Sequence, residues 1–125
     1  REKGIRGTGP TPIKTKDGWL ILYHKTEEND PNKYKIFAMI LDYKDPTRIL
    51  YRSSRPILEP EESYEQESYR GIVYSCGAVV KDKQLFVYYG AGDKHCCVAT
   101  INLQELLEDL KANKEIKLNK LPKKK

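Results

Sequence analysis

Short apolar runs alternate with polar turns along most of the chain, a pattern that predicts antiparallel β-sheet. The apolar run at residues 19–22 follows an Asp17-Gly18 dipeptide and ends at Tyr23 and His24. Asp-Gly favours tight hairpins because glycine accepts the positive φ that such turns require. A buried strand that ends in two polar side chains is typical of one that leaves a core and opens on a ligand site.

The chain repeats itself. Residues 15–25 (TKDGWLILYHK) align with residues 80–90 (VKDKQLFVYYG), which places Tyr23 on Tyr88 and His24 on Tyr89. In each copy a short apolar strand enters a Lys-Asp turn and a second, more apolar strand leaves it.

The similarity continues downstream, where residues 37–46 and 97–106 correspond as a third strand. Residues 48–58 predict a fourth, more exposed strand with a loop behind it. Each copy is therefore expected to be a four-stranded antiparallel unit. The repeat is long because the loop at residues 53–71 is long.

Repeats of about 40–50 residues are typical of β-propellers, which need at least about four blades to close. The chain's 125 residues supply about two and a half blades. The sequence therefore predicts an all-β fold, a partial β-propeller of about two to two and a half blades. We expect residues 1–125 to be the C-terminal portion of a larger propeller domain whose N-terminal blades complete it.

One helix is predicted near the C-terminus. Its N-cap is Asn102, and Glu105 follows at the third helical position. Four leucines form an apolar stripe: Leu103, Leu106, Leu107 and Leu110. The stripe is expected to dock on the outer edge of the sheets.

The net charge of +5 is concentrated at one end of the chain. Residues 111–125 carry seven lysines and one glutamate, so the rest of the chain is close to neutral. Such a block predicts a solvated lysine-rich tail, whose contacts with phosphate would be non-specific and salt-sensitive. We expect no specific nucleic-acid partner; an accessory nucleic-acid role is an alternative that steeply salt-dependent duplex binding would support. No apolar run is long enough to predict a membrane span.

Cys76, Cys96 and Cys97 suit neither a disulfide framework nor a C-x-x-C metal site. Neighbouring Cys96 and Cys97 point to opposite faces of a strand. We expect small buried thiols in a reducing, cytoplasmic compartment, and neither a metal nor an organic cofactor.

Three stretches resemble one known family, in order and across nearly the whole chain. They are residues 7–24 (GTGPTPIKTKDGWLILYH), residues 41–65 (LDYKDPTRILYRSSRPILEPEESYE) and residues 77–93 (GAVVKDKQLFVYYGAGD). They are similar to the C-terminal half of glycoside hydrolase family 130, the mannoside phosphorylases and related β-mannosidases. The resemblance implies a five-bladed propeller with its active site in the central channel.

The resemblance also implies which residues contact a β-mannoside oligosaccharide or mannosyl-sugar substrate. His24 and Asp93 match family positions in the site, and Tyr34, Glu65 and Tyr89 are further candidates. Without the resemblance, His24 is a hydrogen-bonded strand-end residue, Asp93 caps a glycine turn, and the tyrosines pack between blades.

The family cleaves β-mannosides with inversion, by phosphorolysis or by hydrolysis. Its general-acid aspartate belongs to the N-terminal half, so we expect no catalytic residue here and an inactive isolated chain. Inorganic phosphate is the co-substrate if the protein is a phosphorylase. Ile5 replaces the family's phosphate-binding lysine, and Arg6 and Lys3 are the candidate substitutes.

The family match leaves the oligomeric state open, and a homo-oligomer is one possibility. A non-catalytic propeller module that binds a sugar or a protein is the alternative function. An upstream general-acid aspartate with an arginine cluster would distinguish the enzyme from that module.

Overall fold

The computed structural model describes residues 5–27, 30–59, 73–91 and 95–121. The first sheet contains β1 (Ile5–Thr8), β2 (Ile13–Thr15), β3 (Gly18–Glu27), β4 (Asp30–Leu41) and β5 (Ile49–Arg52). The second sheet contains β6 (Val73–Lys81), β7 (Gln84–Ala91), β8 (His95–Asn102) and β9 (Asn119–Lys120). Helix α1 (Leu103–Lys111) lies between β8 and β9 in the chain.

Both sheets are antiparallel and four strands wide. In the first, β1 and β2 lie end to end along one edge of β3, and β4 and β5 follow on the other side. In the second, the order is β6-β7-β8-β9. The predicted fold class, four-stranded antiparallel units with one helix, is therefore confirmed for the part of the chain that the structure describes.

The two hairpin turns differ although their sequences align. Thr15 pairs with Gly18 in the first turn, and Lys81 pairs with Gln84 in the second, so the second turn lies one residue later in the alignment. In the first turn the positive φ, 139°, falls on Gly18, whereas the second places Asp82 and Lys83 at 51° and 67°. Glycine thus fixes where the first turn closes.

The third predicted strand, residues 37–46, has different bounds in the structure. β4 begins at Asp30 and ends at Leu41, because its first half continues the antiparallel ladder with β3. The polar residues after Leu41 form a turn, in which Thr47 donates two hydrogen bonds to the Asp45 carboxylate. Those bonds hold the pKa of Asp45 below its usual value, and they close the turn before β5.

One core joins the two sheets and the helix. In β3 the core face carries Leu20 and Leu22, and in β7 it carries Leu85, Val87 and Tyr89. These are the positions that the repeat aligns, so the two copies present equivalent residues to the interior. The opposite faces carry Tyr23 and Tyr88, respectively.

Helix α1 forms as predicted. The Asn102 side chain accepts a hydrogen bond from the Glu105 amide at 3.0 Å. Leu106, Leu107 and Leu110 are almost completely buried, and the helix contacts β5 and β8. It therefore bridges the two sheets on the side of their outer strands, where the apolar stripe was expected to dock.

Residues up to 121 do not form the solvated tail that the lysine content predicts. Ile116 and Leu118 are 3% and 7% exposed, and β9 pairs with β8. The Leu118 amide donates to the Ile57 carbonyl at 3.2 Å. Ile116 and Leu118 lie on either side of the exposed Lys117, so this part of the segment has a strand-like alternation that its charge concealed.

The expectation of buried thiols is wrong for Cys96, which is exposed, while Cys97 is half-buried against the core. The side chain of Cys76 lies outside the described residues. Within the described ranges no group of three or more His, Cys, Asp and Glu side chains is close enough to hold a metal ion. Among the same residues, no helix has the length and apolarity to cross a membrane.

Candidate functional site

His24 lies where the apolar column of β3 meets the end of the sheet. It pairs with Ile36 of β4 on one side and Gly7 of β1 on the other, and it is 5% exposed. Its side chain shares a face with Leu20 and Leu22, so the imidazole continues the core face. A buried polar group thus follows the apolar run of β3, but the strand continues to Glu27, three residues beyond the end that the sequence predicts.

Tyr89 occupies the corresponding place in the second sheet. It follows Leu85 and Val87 on the core face of β7 and pairs with Cys97 of β8. Its side chain is 1% exposed and belongs to the core cluster. This burial favours a packing role for the ring over stacking against a sugar, so a substrate contact by Tyr89 stays a prediction.

The corresponding ends of the two sheets lie on the same side of the two-sheet unit. Lys16 of the first hairpin turn and Lys83 of the second line one common cavity, so both turns lie on one side of the unit. The opposite ends of β3 and β7, which carry His24 and Tyr89, therefore face the other side.

The other predicted site residues belong to the same end or lie outside the described residues. The backbone of Arg6 in β1 lies beside His24 in the strand ladder, and Tyr34 in β4 is two residues from Ile36, the partner of His24. Asp93, Glu65 and Lys3 lie outside the described ranges.

A β-bulge occurs at Arg6. Ile5 pairs with Lys25 and Gly7 pairs with His24, which leaves Arg6 as the extra residue between the two pairs. A bulge interrupts the alternation of side chains along a strand. Alternation along β1 therefore gives no prediction of the side on which Arg6, a candidate phosphate ligand, lies relative to Ile5. Bulges are frequent beside active sites, where they redirect one side chain.

A charged cluster that the sequence did not single out lies at the same end of the first sheet. Lys35, which is 6% exposed, forms an ion pair with Glu59 at 3.4 Å. Lys117 donates a short hydrogen bond to the other carboxylate oxygen of Glu59, and Lys120 donates to its backbone carbonyl at 2.8 Å. The cluster therefore holds two lysines on the Glu59 carboxylate and a third on its backbone carbonyl, and it carries a net positive charge.

Two opposing effects set the pKa of Glu59. Partial burial on its own would raise that pKa, but the hydrogen bond and charge of Lys117 and the charge of Lys35 outweigh it. The net pKa lies below the ordinary value, so Glu59 is ionised at neutral pH. The sequence signal for this cluster was the Pro-Ile-Leu-Glu-Pro block at residues 56–60, which indicated the resemblance but not the partner of its glutamate.

Lys25 adds a further positive charge here. It lies directly opposite Lys35 in the β3–β4 ladder, and its ammonium is 4.7 Å from the centroid of the Phe37 ring. Phe37 in turn stacks on Tyr23, with ring centroids 5.8 Å apart. Tyr23 thus has the packing role expected of it. The lysines lie on the other face of the sheet from His24, one residue away along each strand.

The outer faces of the two-sheet unit expose apolar surface. On the first sheet, Trp19, Ile21 and Leu41 line a hollow of about 350 Å³ together with Pro12 and Pro46. On the second sheet, Val79 and Tyr88 are 47% and 48% exposed. Contiguous apolar surface of this kind marks an interaction surface.

Two packed antiparallel sheets of four strands, with apolar outer faces and polar strand ends gathered on one side, define a segment of a β-propeller. The chain belongs to glycoside hydrolase family 130. The family model, described as beta-1,4-mannooligosaccharide phosphorylase, matches residues 3–112. The recognition made from the sequence motifs is confirmed.

Individual relatives support this assignment. The chain is 44% identical over 101 residues to the 1,2-beta-oligomannan phosphorylase of Thermoanaerobacter sp. (strain X514), covering 80% of this chain and 33% of that protein. It is 41% identical over 110 residues to the beta-1,2-mannobiose phosphorylase of Listeria innocua, covering 87% and 30%. The solved complex of the Listeria innocua enzyme with beta-1,2-mannobiose superposes with a TM-score of 0.77 at 39% identity, covering 86% and 30%. The chain spans about a third of the length of the curated relatives it matches.

Proposed function

We propose that the chain forms the C-terminal part of an inverting β-mannoside phosphorylase that acts on β-1,2 linkages. The observation that carries this proposal is the 41–44% identity to two phosphorylases of β-1,2-mannosides. The family model bears the name of a β-1,4 enzyme, but a family description covers more distant members than these relatives. The names of these two relatives therefore favour the β-1,2 linkage.

In the proposed reaction, a phosphate oxygen attacks the anomeric carbon of the terminal mannose from the α face. The C1–O bond to the rest of the sugar breaks, and the general acid protonates the leaving oxygen. The products are α-mannose 1-phosphate and a saccharide shorter by one residue. The chain's own part is binding, with His24 and Asp93 near the sugar and Tyr34, Glu65 and Tyr89 as further candidates. The acid comes from outside this chain.

Binding of phosphate requires cationic groups, because its oxygens accept charge-assisted hydrogen bonds. Arg6 is the favoured group, since its backbone lies at a bulge beside the His24 backbone. Lys3 is the second candidate. Lys25 and Lys35 lie on the other face of the sheet from His24, so they add only longer-range positive charge at this end.

The proposed partner of the outer faces is the remainder of the same protein. The hollow beside Trp19 and the exposed pair Val79 and Tyr88 lie on opposite outer faces of the unit. In a closed propeller every blade packs between two others, so both faces would be covered. A homo-oligomer is compatible with this arrangement but is not required by it.

The function is tested on the longer protein that contains this chain. We expect phosphate-dependent formation of mannose 1-phosphate from β-1,2-mannobiose, and much less from β-1,4-mannobiose. The 125-residue chain alone is expected to release neither mannose nor mannose 1-phosphate. Release of free mannose at the same rate without phosphate would instead identify a hydrolase. Saturable sugar binding without turnover would identify the non-catalytic module.

A matched pair of variants tests the role of His24. His24→Asn keeps a hydrogen-bonding side chain of similar size, and we expect a loss of at least about tenfold in kcat/KM. Thr47→Ser, in an exposed turn at the opposite end of β4, is the control and should leave kcat/KM unchanged. Equal activities of the two variants would remove His24 from the site. We further propose a cytoplasmic location, in accord with the exposed free thiol of Cys96.

A further inference from the structure

A cavity of about 750 Å³ lies at the hairpin-turn end of the two sheets. It is formed by the first turn, the loop after β4, the second turn and the start of α1. Its volume is within the range of about 300–1,000 Å³ that small-molecule sites occupy. It lies at the opposite end of β3 from His24, so it is separate from the proposed active site.

Three lysines supply the charge of the cavity. Lys14, Lys16 and Lys83 line it, and none of them forms an ion pair with a carboxylate of the described residues. Their neighbour Lys111 differs, because its ammonium is 3.3 Å from the Asp17 carboxylate. Helix α1 begins at the same cavity, and its amino end adds positive partial charge.

The acidic residues nearest in sequence do not compensate these lysines. Asp17 and Asp82 belong to the two hairpin turns and Glu105 to the first turn of α1, and none of the three lines the cavity. The cavity therefore has an excess of positive charge although the folded body as a whole is close to neutral. Lysine ammonium groups are compact point charges that bind phosphate well.

The remaining wall is apolar and aromatic. Leu107 is 2% exposed and Leu103 packs against the core, so together they form a fixed floor. The Tyr43 ring is held in place, because its hydroxyl donates to the Thr15 carbonyl and its ring meets Trp19 edge-on at 5.4 Å. The Lys14 ammonium lies 6.0 Å from the centroid of the same ring. The Lys14 ammonium and the Tyr43 ring thus lie close together in the cavity wall.

We propose that this cavity binds phosphate monoesters of ring compounds. The phosphate group of the ligand lies between Lys16 and Lys83, and the ring of the ligand packs between Tyr43 and Leu103. Sugar phosphates and nucleoside monophosphates share this chemistry. The cavity is distinct from the phosphate position of the proposed reaction, which lies at the His24 end, so it serves as an effector site or a second binding site.

The binding test uses the 125-residue chain and amide NMR shifts at roughly physiological ionic strength, where weak surface pairs are screened. The probes are phenyl phosphate, inorganic phosphate and phenol. We expect saturable shifts at Thr15, Lys83 and Leu103 with phenyl phosphate, at a lower concentration than with either fragment alone. Mannose 1-phosphate and adenosine monophosphate then distinguish a sugar from a nucleoside source.

Variants locate the binding. Lys16→Gln and Lys83→Gln should each weaken phenyl phosphate binding by roughly two- to fivefold, and the double variant by roughly tenfold. Lys114→Gln, which removes an exposed lysine outside the cavity, is the matched control and should leave binding unchanged. Equal weakening by the control, or shifts that do not saturate, would show only general attraction of anions and would overturn the proposal.

Discussion

Gly18 lies so close to the Leu41 carbonyl that a Cβ added at position 18 would be 2.3 Å from that oxygen. The contact joins the first residue of β3 to the last residue of β4, at the point where the hairpin turn meets the neighbouring strand. Gly18 also has a positive φ of 139°. The backbone conformation and the close approach therefore both require glycine here.

Gly18→Ala is expected to lower the free energy of unfolding by about 2–3 kcal/mol, because the backbone of Leu41 cannot move away without breaking the ladder. Urea denaturation followed by tryptophan fluorescence measures this, since Trp19 is adjacent. Gly77→Ala is the matched control. A Cβ at Gly77 meets no atom within 4 Å, so its effect should stay within about 0.5 kcal/mol. Similar losses in both variants would contradict the steric argument.

The segment after α1 provides a second prediction. Ile116→Ala should destabilise the chain by about 2–4 kcal/mol, because it empties a fully buried position in the core that joins the sheets. Lys114→Ala, two residues earlier and exposed, should change the free energy of unfolding by less than about 0.5 kcal/mol. Thermal and urea unfolding measure both. Equal, small effects of the two substitutions would instead support the solvated tail that the charge pattern predicts.

The sequence predicted most of the sheet architecture because that information is local. The alternation of apolar and polar residues in β3 and β7 specified their faces, and the Asn102 cap specified the start of α1. The family motifs add what alternation cannot, namely that His24 contacts substrate, and this stays a prediction. The strand faces and the helix start depend on residues that are close in the sequence, so a single sequence is enough to predict them.

The features that the sequence did not predict depend on contacts between distant residues. Glu59 and Lys117 are 58 positions apart, and nothing in either local pattern pairs them. The burial of Ile116 was hidden because charge dominated the composition of its segment. The bulge at Arg6 was missed because one extra residue in a strand leaves no mark on the apolar pattern. Of the candidate site, the strand ends were therefore predictable and the charge network was not.

The outer face of the second sheet gives a third prediction. Tyr88→Ala should change the stability of the isolated chain by less than about 0.5 kcal/mol, because the side chain is 48% exposed there. In the longer protein, where we propose that this face is covered, the same change should cost about 2 kcal/mol or more. The control is Tyr51, which is 38% exposed on the edge strand β5. Tyr51→Ala should leave the stability of the isolated chain and of the longer protein nearly unchanged. If Tyr88→Ala is silent in the longer protein as well, that face is not an interface.

The last prediction concerns the acid stability of the Lys35–Glu59 pair. The folded-state pKa of Glu59 lies below its ordinary value of 4.5, so the folded state favours the carboxylate. Its stabilisation is complete above about pH 4.5 and is lost as the pH falls through the folded pKa. Glu59→Gln should therefore lower the free energy of unfolding by about 1–2 kcal/mol at pH 7, where it removes the ion pair with the buried Lys35.

Urea denaturation of both proteins between pH 7 and pH 3 measures this dependence. The difference between the wild-type chain and Glu59→Gln should be constant from pH 7 to pH 5 and should shrink below that, because the protonated carboxyl and the amide are then alike in charge. Glu115→Gln is the matched control, since its ion pair with Arg55 is exposed and long at 3.8 Å and contributes little. A difference for Glu59→Gln that persists unchanged to pH 3 would show that shape, rather than the charge on Glu59, stabilises this end of the sheet.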